Sequence, residues 1–196
     1  MARPRSFDER DVLRAAQDRF WSGGYAATSV EDVAAVTGLG KGSLYGAFGD
    51  KHQLFLRVFD EYCADMVRAV RAGLDGPDAT AYRRLRAQVL AVASSTGNDT
   101  QHRGCLLAKA TAELAGSDPA VAARAKQTFD ALEDALAACI EGAQRNGDID
   151  PSAAARRLAG LILAVLRGIE ALGKAGKSKT ALRGIADTAL AVLPRA

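Results

Sequence analysis

The chain has 196 residues, 48% of them hydrophobic and 25% charged, the make-up of an ordinary globular protein rather than a disordered or fibrous one. Its net charge of +3 is spread thinly: residues 1–62 hold eight Lys or Arg against nine Asp or Glu (net −1), and residues 63–196 hold eighteen against fourteen (net +4). The longest apolar run, "LAGLILAVL" at 158–166, has nine residues where a membrane span needs about 20, and no apolar stretch follows the opening "MARPRS", so neither a membrane helix nor a signal peptide is expected and a cytoplasmic location is.

In chain order, "SFDE" at 6–9 reads as a capping box, with Ser6 as N-cap and Glu9 three residues on. Val12, Ala16 and Phe20 then give an amphipathic helix that "SGG" at 22–24 ends. "TSVEDVAAVTG" starts a second helix, capped by Thr28 or Ser29 with Glu31 or Asp32 completing the box, and Gly38 stops it. "KGSLYGAF" makes a third short helix with Leu44 and Phe48 stacked at i, i+4. Asp50 caps a fourth, whose stripe runs from Leu54 to Met66. Beyond a Gly and Pro break at 72–80 the helices lengthen. One carries Tyr82, Leu85, Val89 and Val92, "STGNDTQHRG" at 95–104 is a polar loop, and "CLLAKATAELA" is a short helix capped by Gly116. Asp118-Pro119 starts a long helix, Asp150-Pro151 starts the next, and a last one carries Leu182, Ile185, Ala189 and Val192. No strand pattern is present, so the fold class is all-α with about nine helices.

The stretch "GLGKGSLYGAFGDK" at 38–51, with five glycines around Lys41 and Ser43, invites a phosphate. A P-loop needs Ser or Thr directly after Gly-Lys, and here Gly42 follows Lys41. A dinucleotide loop needs glycines in G-x-G-x-x-G spacing after a strand, and here a helix precedes them. Two short helices joined by a glycine turn instead describe a helix-turn-helix. The second helix then leads with Lys41, Gly42 and Ser43 into the major groove, and the small residues let the backbone approach the duplex. Tyr45 reaches the groove wall, and the start of the next helix, at Asp50 and Lys51, favours an anion. Between Val33 and Gly49 the only charge is Lys41, and Arg3 and Arg5 lie on an N-terminal arm.

On these residues the chain resembles the TetR family of one-component transcriptional regulators. The order "F..GGY..TSV" followed by "IA...G...G.LY..F..K..L" is matched, with Val33 at the place of the Ile, and residues 6–62 carry the resemblance. It implies a helix-turn-helix from Ser29 to Phe48, with Thr28, Ser29, Lys41, Gly42, Ser43, Tyr45 and Lys51 facing double-stranded DNA. Two departures reduce the side chains able to read bases: Gly40 stands where the family often has Ser or Thr, and Gly46 with Ala47 where larger side chains are common. The implied organisation is a DNA-binding domain at 6–66 and a ligand-binding and dimerisation domain at 67–196. The implied function is a repressor released from a palindromic operator by a small-molecule effector, with no cofactor, no metal and no enzymatic activity.

Excess apolar surface on the last two helices supports a homodimer through Leu158, Leu161, Ile162, Val165, Ile169, Leu182, Ile185 and Val192. Candidate pocket residues are Met66, Tyr82, Val89, Leu106, Phe129 and Leu132. The segment "RGCLLAKATAELAGSDPAV" is similar to one subgroup of family C-terminal domains, some of which respond to oxidants or electrophiles. Cys105 therefore stands as a candidate redox site, at a helix N-terminus where a thiolate is favoured. His102 with Cys105 is a lone H-x-x-C spacing, short of a zinc ligand set. A helical ligand-binding protein without specific DNA activity is the remaining alternative.

Overall fold

The computed structural model describes residues 7–196. The first helix, α1 (Glu9–Gly23), is capped by Asp8, whose carboxylate accepts from the Arg10 amide at 2.8 Å. The expected cap, Ser6, and the arm residues Arg3 and Arg5 lie outside the described residues, and the cap position itself belongs to Asp8. There follow α2 (Val30–Thr37), α3 (Lys41–Phe48), α4 (Lys51–Leu74), a 3-10 turn at Asp78–Thr80, α5 (Ala81–Asn98), α6 (Leu106–Leu114), α7 (Pro119–Arg145), α8 (Ala155–Lys174) and α9 (Lys179–Ala191). Among the described residues there are nine α-helices and no strand. None of these helices is long and apolar enough to cross a membrane.

Three boundaries differ from the sequence reading, each for a reason of packing. Helix α5 runs on through "STGN" because its last turn is covered. A Cβ on Gly97 would lie 2.9 Å from Lys179 Cγ, and Lys179 Nζ donates to Asn98 Oδ1 at 2.9 Å. Asp150-Pro151 forms a turn rather than a helix start. Gln144 Nε2 donates to the carbonyls of Asp150 and Ala153 at 2.9 and 2.7 Å, the Asp150 amide donates to the Pro194 carbonyl, and α8 begins only at Ala155. Gly116 takes no positive φ; α6 is closed instead by the Ser117 and Asp118 amides donating to the Leu114 carbonyl. Asp118 caps α7 as expected, accepting from the Ala120 and Val121 amides.

The chain divides into two compact units. The first holds residues up to Ala64 together with Leu106–Ala125; the second holds Asp65–Cys105 and Lys126–Ala196. This division by packing differs from the division by role drawn at 66/67, because α6 and the first turns of α7 pack with the N-terminal helices. In the first unit Leu13, Phe20, Val33, Leu44, Phe48, Phe55 and Phe59 are buried. Phe55 sits edge-on to Phe20 and Tyr25 at 5.2 and 4.9 Å, a favourable aromatic arrangement. In the second unit α5 packs on α8 and α9, around Leu85, Val89, Ile140, Ile162, Ile169 and Leu182.

Candidate nucleic-acid interface

The interface is built outward from the corner between α1 and α2. Thr28 is fully buried, and its hydroxyl donates to the Gly24 carbonyl at 2.7 Å. Its side chain is therefore part of the corner rather than of the open surface. Ser29 caps α2 in a complete box. Its hydroxyl oxygen accepts from the Asp32 amide at 3.0 Å, while its own amide donates to Asp32 Oδ2 at 2.8 Å. The amide and hydroxyl of Ser29, then Arg19 at 3.0 Å, hold the Asp32 carboxyl down at about 2. Ser29 is thus committed to starting α2.

Gly38 ends α2 with φ 69° and ψ 10°, a left-handed conformation that glycine adopts without steric cost, and this turns the chain into α3. Leu44 and Phe48 anchor α3 in the core. The rest of the helix is open: Lys41, Gly42, Ser43, Tyr45 and Gly46 are all exposed, Tyr45 to 49%. A Cβ on Gly40, Gly42 or Gly46 would meet no atom within 4 Å, so the main chain itself forms this surface. Gly40 is the N-cap and offers no side-chain bond; the Ser43 amide donates to the Gly40 carbonyl at 2.9 Å, and the amides ahead of it are left to an outside acceptor.

Lys41 is not a free cation. Its Nζ is paired with the Glu31 carboxylate on α2, which raises the Lys41 pKa and lowers that of Glu31. Lys51 is half-buried at the start of α4, with Nζ 4.3 Å from the centre of the Tyr25 ring. Asp50 caps that helix, accepting from the Gln53 amide at 2.8 Å. The structure thus gathers Lys41, Gly42, Ser43 and Tyr45 on the open side of α3, and sets Thr28 and Ser29 into the framework beneath.

Three sets of contacts escaped the sequence reading. Glu31 belongs to a different helix from Lys41, and only the helix-turn-helix geometry brings the two together. Lys109 and Glu113 on α6 hold the corner after α1. Lys109 Nζ donates to the Trp21 and Ser22 carbonyls at 2.6 and 3.0 Å, and Glu113 accepts from the Tyr25 and Ala26 amides at 3.0 and 2.6 Å. These pairs are 87 or 88 residues apart, so no local signal announces them. His52 on α4 likewise meets Asp118 at 2.6 Å. Burial pushes the Asp118 carboxyl up, but His52 and the Val121 and Ala120 amides outweigh it and the net shift is downward.

The second unit contains an open cleft of about 620 Å³. Ala72, Leu74, Ala135, Ala138 and Cys139 line it, with Arg71, Asp75, Asp78, Arg84 and Arg145 among its polar residues. None of the six expected pocket residues lines it: Val89, Leu106 and Leu132 are buried, and Met66, Tyr82 and Phe129 are half-buried elsewhere. Of the expected dimer residues, Ile162, Ile169 and Leu182 are fully buried in the protomer's own core. Their excess apolarity serves α5 rather than a second chain. Leu161 and Val192 are exposed, to 46% and 60%, and Leu158, Val165 and Ile185 are half-buried.

A capped helix, a left-handed glycine and a second helix with an open N-terminal end define a helix-turn-helix DNA-binding regulator. Residues 12–58 match the family described as "Bacterial regulatory proteins, tetR family", and residues 81–189 match "Tetracyclin repressor-like, C-terminal domain". The chain belongs to the TetR family. It is 27% identical to the HTH-type transcriptional repressor ComR of Escherichia coli (strain K12), over 98% of this chain and 91% of that protein. It is 29% identical to the HTH-type transcriptional regulator YezE of Bacillus subtilis (strain 168), over 81% and 84%. A cysteine-substituted variant of the TetR family regulator CifR, solved with 26 bp double-strand operator DNA, superposes with a TM-score of 0.83 at 26% identity. That likeness covers 98% of this chain and 100% of the other.

Proposed function

We propose that the protein is a cytoplasmic homodimeric repressor that reads a palindromic operator with α3 and leaves it when a small molecule binds. The observation that carries this is the open face of α3, where bare main chain at Gly40, Gly42 and Gly46 lies among Lys41, Ser43 and Tyr45. CifR, the neighbour solved on operator DNA, and ComR, named a repressor, support the same reading. Residues 6–66 would read DNA, and residues 67–196 would bind the effector and pair the protomers. For pairing, α8 offers Leu158, Leu161, Val165 and Gly168, and α9 offers Gly184 and Ile185 with Val192 at its C-cap. A Cβ at either glycine would meet open space, so a second copy can approach closely. Such a dimer sets two recognition helices about one DNA turn apart, roughly 34 Å. The cleft of about 620 Å³ falls within the usual size of a small-molecule site.

The test is selection of bound sequences from random duplexes by the purified protein, joined to sedimentation of the wild type and of Leu161→Glu. An inverted repeat should emerge, the wild type should sediment as a dimer, and the variant should be monomeric and lose the repeat. A wild-type monomer at micromolar concentration sinks the dimer, and enrichment of no sequence sinks the operator.

One observation favours a second trigger. Arg167 Nη1 lies 3.1 Å from Cys105 Sγ, inside the "GCLL" segment, and also pairs with Glu170 at 2.9 Å, so a charged pair stands against the buried thiol. The CifR structures carry cysteine substitutions. Under this reading a stoichiometric maleimide, adding to the Cys105 sulfur, releases the wild type from DNA but leaves Cys105→Ser bound. Release from both, or from neither, leaves reversible ligand binding as the trigger.

A further inference from the structure

Non-specific affinity for DNA comes almost entirely from cations meeting phosphates. The recognition helix has one cation to offer, and it is already taken: Lys41 is the only charged residue from Val33 to Gly49, and its Nζ is held by Glu31. Both side chains are on the surface, 51% and 59% exposed, so the pair is not a requirement of the core. Asp32, beside Glu31, already completes the α2 capping box, so Glu31 is not needed there. What Glu31 does is place a carboxylate beside the N-terminal end of α3, the end that enters the groove.

We propose that Glu31 is a specificity-determining residue, which holds Lys41 off non-cognate DNA and, when the operator is bound, accepts a hydrogen bond from an exocyclic amine of a base, cytosine N4 foremost. This rests on the reading of α3 as the helix that enters the groove. An ionised carboxylate is acceptor-only. Once Lys41 turns to a phosphate, Glu31 must find a donor or face the negative backbone unpaired. In the major groove the donors are the cytosine N4 and adenine N6 amines, and glutamate pairs characteristically with the former. On a non-cognate duplex no such amine stands in register, and the carboxylate both repels the phosphates and keeps its lysine. The scarcity of side chains on α3, where Gly42 and Gly46 carry none, gives this acceptor from α2 a large share of the direct readout.

The experiment compares the wild type with Glu31→Gln, Lys41→Ala and the double variant in selection from random duplexes, and then on the selected operator and on a scrambled duplex. Releasing one cation to one phosphate is a log–log salt slope of roughly 0.9, which at about 0.1 M salt amounts to roughly eightfold. Glu31→Gln should therefore bind the scrambled duplex about eightfold tighter and steepen its salt slope by about one. Most of the gain should vanish in the double variant, where only the lost repulsion of the carboxylate remains. The sequences that Glu31→Gln selects should lose their preference at one position in each half-site. An equal gain on operator and scrambled duplex with unchanged selected sequences overturns the reading role, and an unchanged scrambled-duplex affinity overturns the holding role. A wild type that enriches no sequence sinks the operator itself, while the scrambled-duplex arm still decides whether Glu31 restrains Lys41. Unchanged helix content in all four proteins keeps misfolding out of the comparison.

Discussion

Helices α2 and α3 are each eight residues long, and each ends at a glycine of positive φ, Gly38 at 69° and Gly49 at 79°. They are built by opposite means. Local chemistry makes α2: a serine cap, a reciprocal aspartate, two acids in the first turn where the helix dipole favours them, and one fully buried side chain, Val33. Almost none of that is present in α3, which has no side-chain cap, no acid in its first turn and two glycines within it. It is a helix because Leu44 and Phe48 are buried against neighbours that are already in place. An eight-residue segment of that composition has no helical stability of its own. The helix that must fit a partner is left bare, and the helix before it supplies the fixed geometry.

Breaking the anchor should have the largest effect. Phe48 is 4% exposed, and Phe48→Ala should cost about 3–5 kcal/mol in chemical unfolding. Amide exchange should show α3 losing protection well before α2. Equal loss in both helices would mean that α3 has local support we have not identified.

The next effect has opposite signs for stability and for binding. Gly42→Ala and Gly46→Ala each place a methyl where nothing lies within 4 Å, and alanine is favoured over glycine in a helix by up to about 1 kcal/mol. The double variant should melt a few degrees higher and bind operator more weakly, because the added methyls occupy the space the duplex needs. A double variant that is more stable and binds operator as tightly as the wild type would show that the glycines do not serve close approach.

The same contrast explains how much was legible beforehand. The α2 box, the Gly38 turn, the Asp50 and Asp118 caps and the Leu44–Phe48 pair are written in residues within four positions of one another, and periodicity finds them. The extension of α5 through Asn98 depends on Lys179, about eighty positions away, and the late start of α8 depends on Gln144 and Pro194. The site divides along the same line. The open residues of α3 follow from a short local pattern. The burial of Thr28, the grip of Lys109 and Glu113 on the corner, and the exclusion of Ile162, Ile169 and Leu182 from any outer face arise only when distant helices meet. Excess apolarity on a helix does not say whether a neighbour in the same chain or a second chain will cover it.

The smallest effects test the local construction of α2. Ser29→Ala removes the cap and should cost about 1 kcal/mol, seen as faster amide exchange in α2 with α3 following it. Asp32, the other half of the box, makes the same bond pH-dependent. The Ser29 amide and hydroxyl, then Arg19, depress its carboxyl from the ordinary 3.8 to about 2. A depressed folded-state pKa contributes stability that is fully present above the unfolded value and is lost as pH falls. The loss should therefore run from just above pH 3.8 down to about pH 2, the interval over which the unfolded chain binds a proton that the folded box still refuses. Glu31, Asp78, Asp118 and Asp150 are also lowered, so the total acid sensitivity is shared. Subtracting the unfolding curve of Asp32→Asn from that of the wild type isolates the one group. The difference should be constant above pH 5 and shrink steadily between pH 4 and pH 2. A difference that is flat across that interval would mean that the carboxylate form of Asp32 contributes nothing to the cap, and that α2 owes its start to the Ser29 hydroxyl alone.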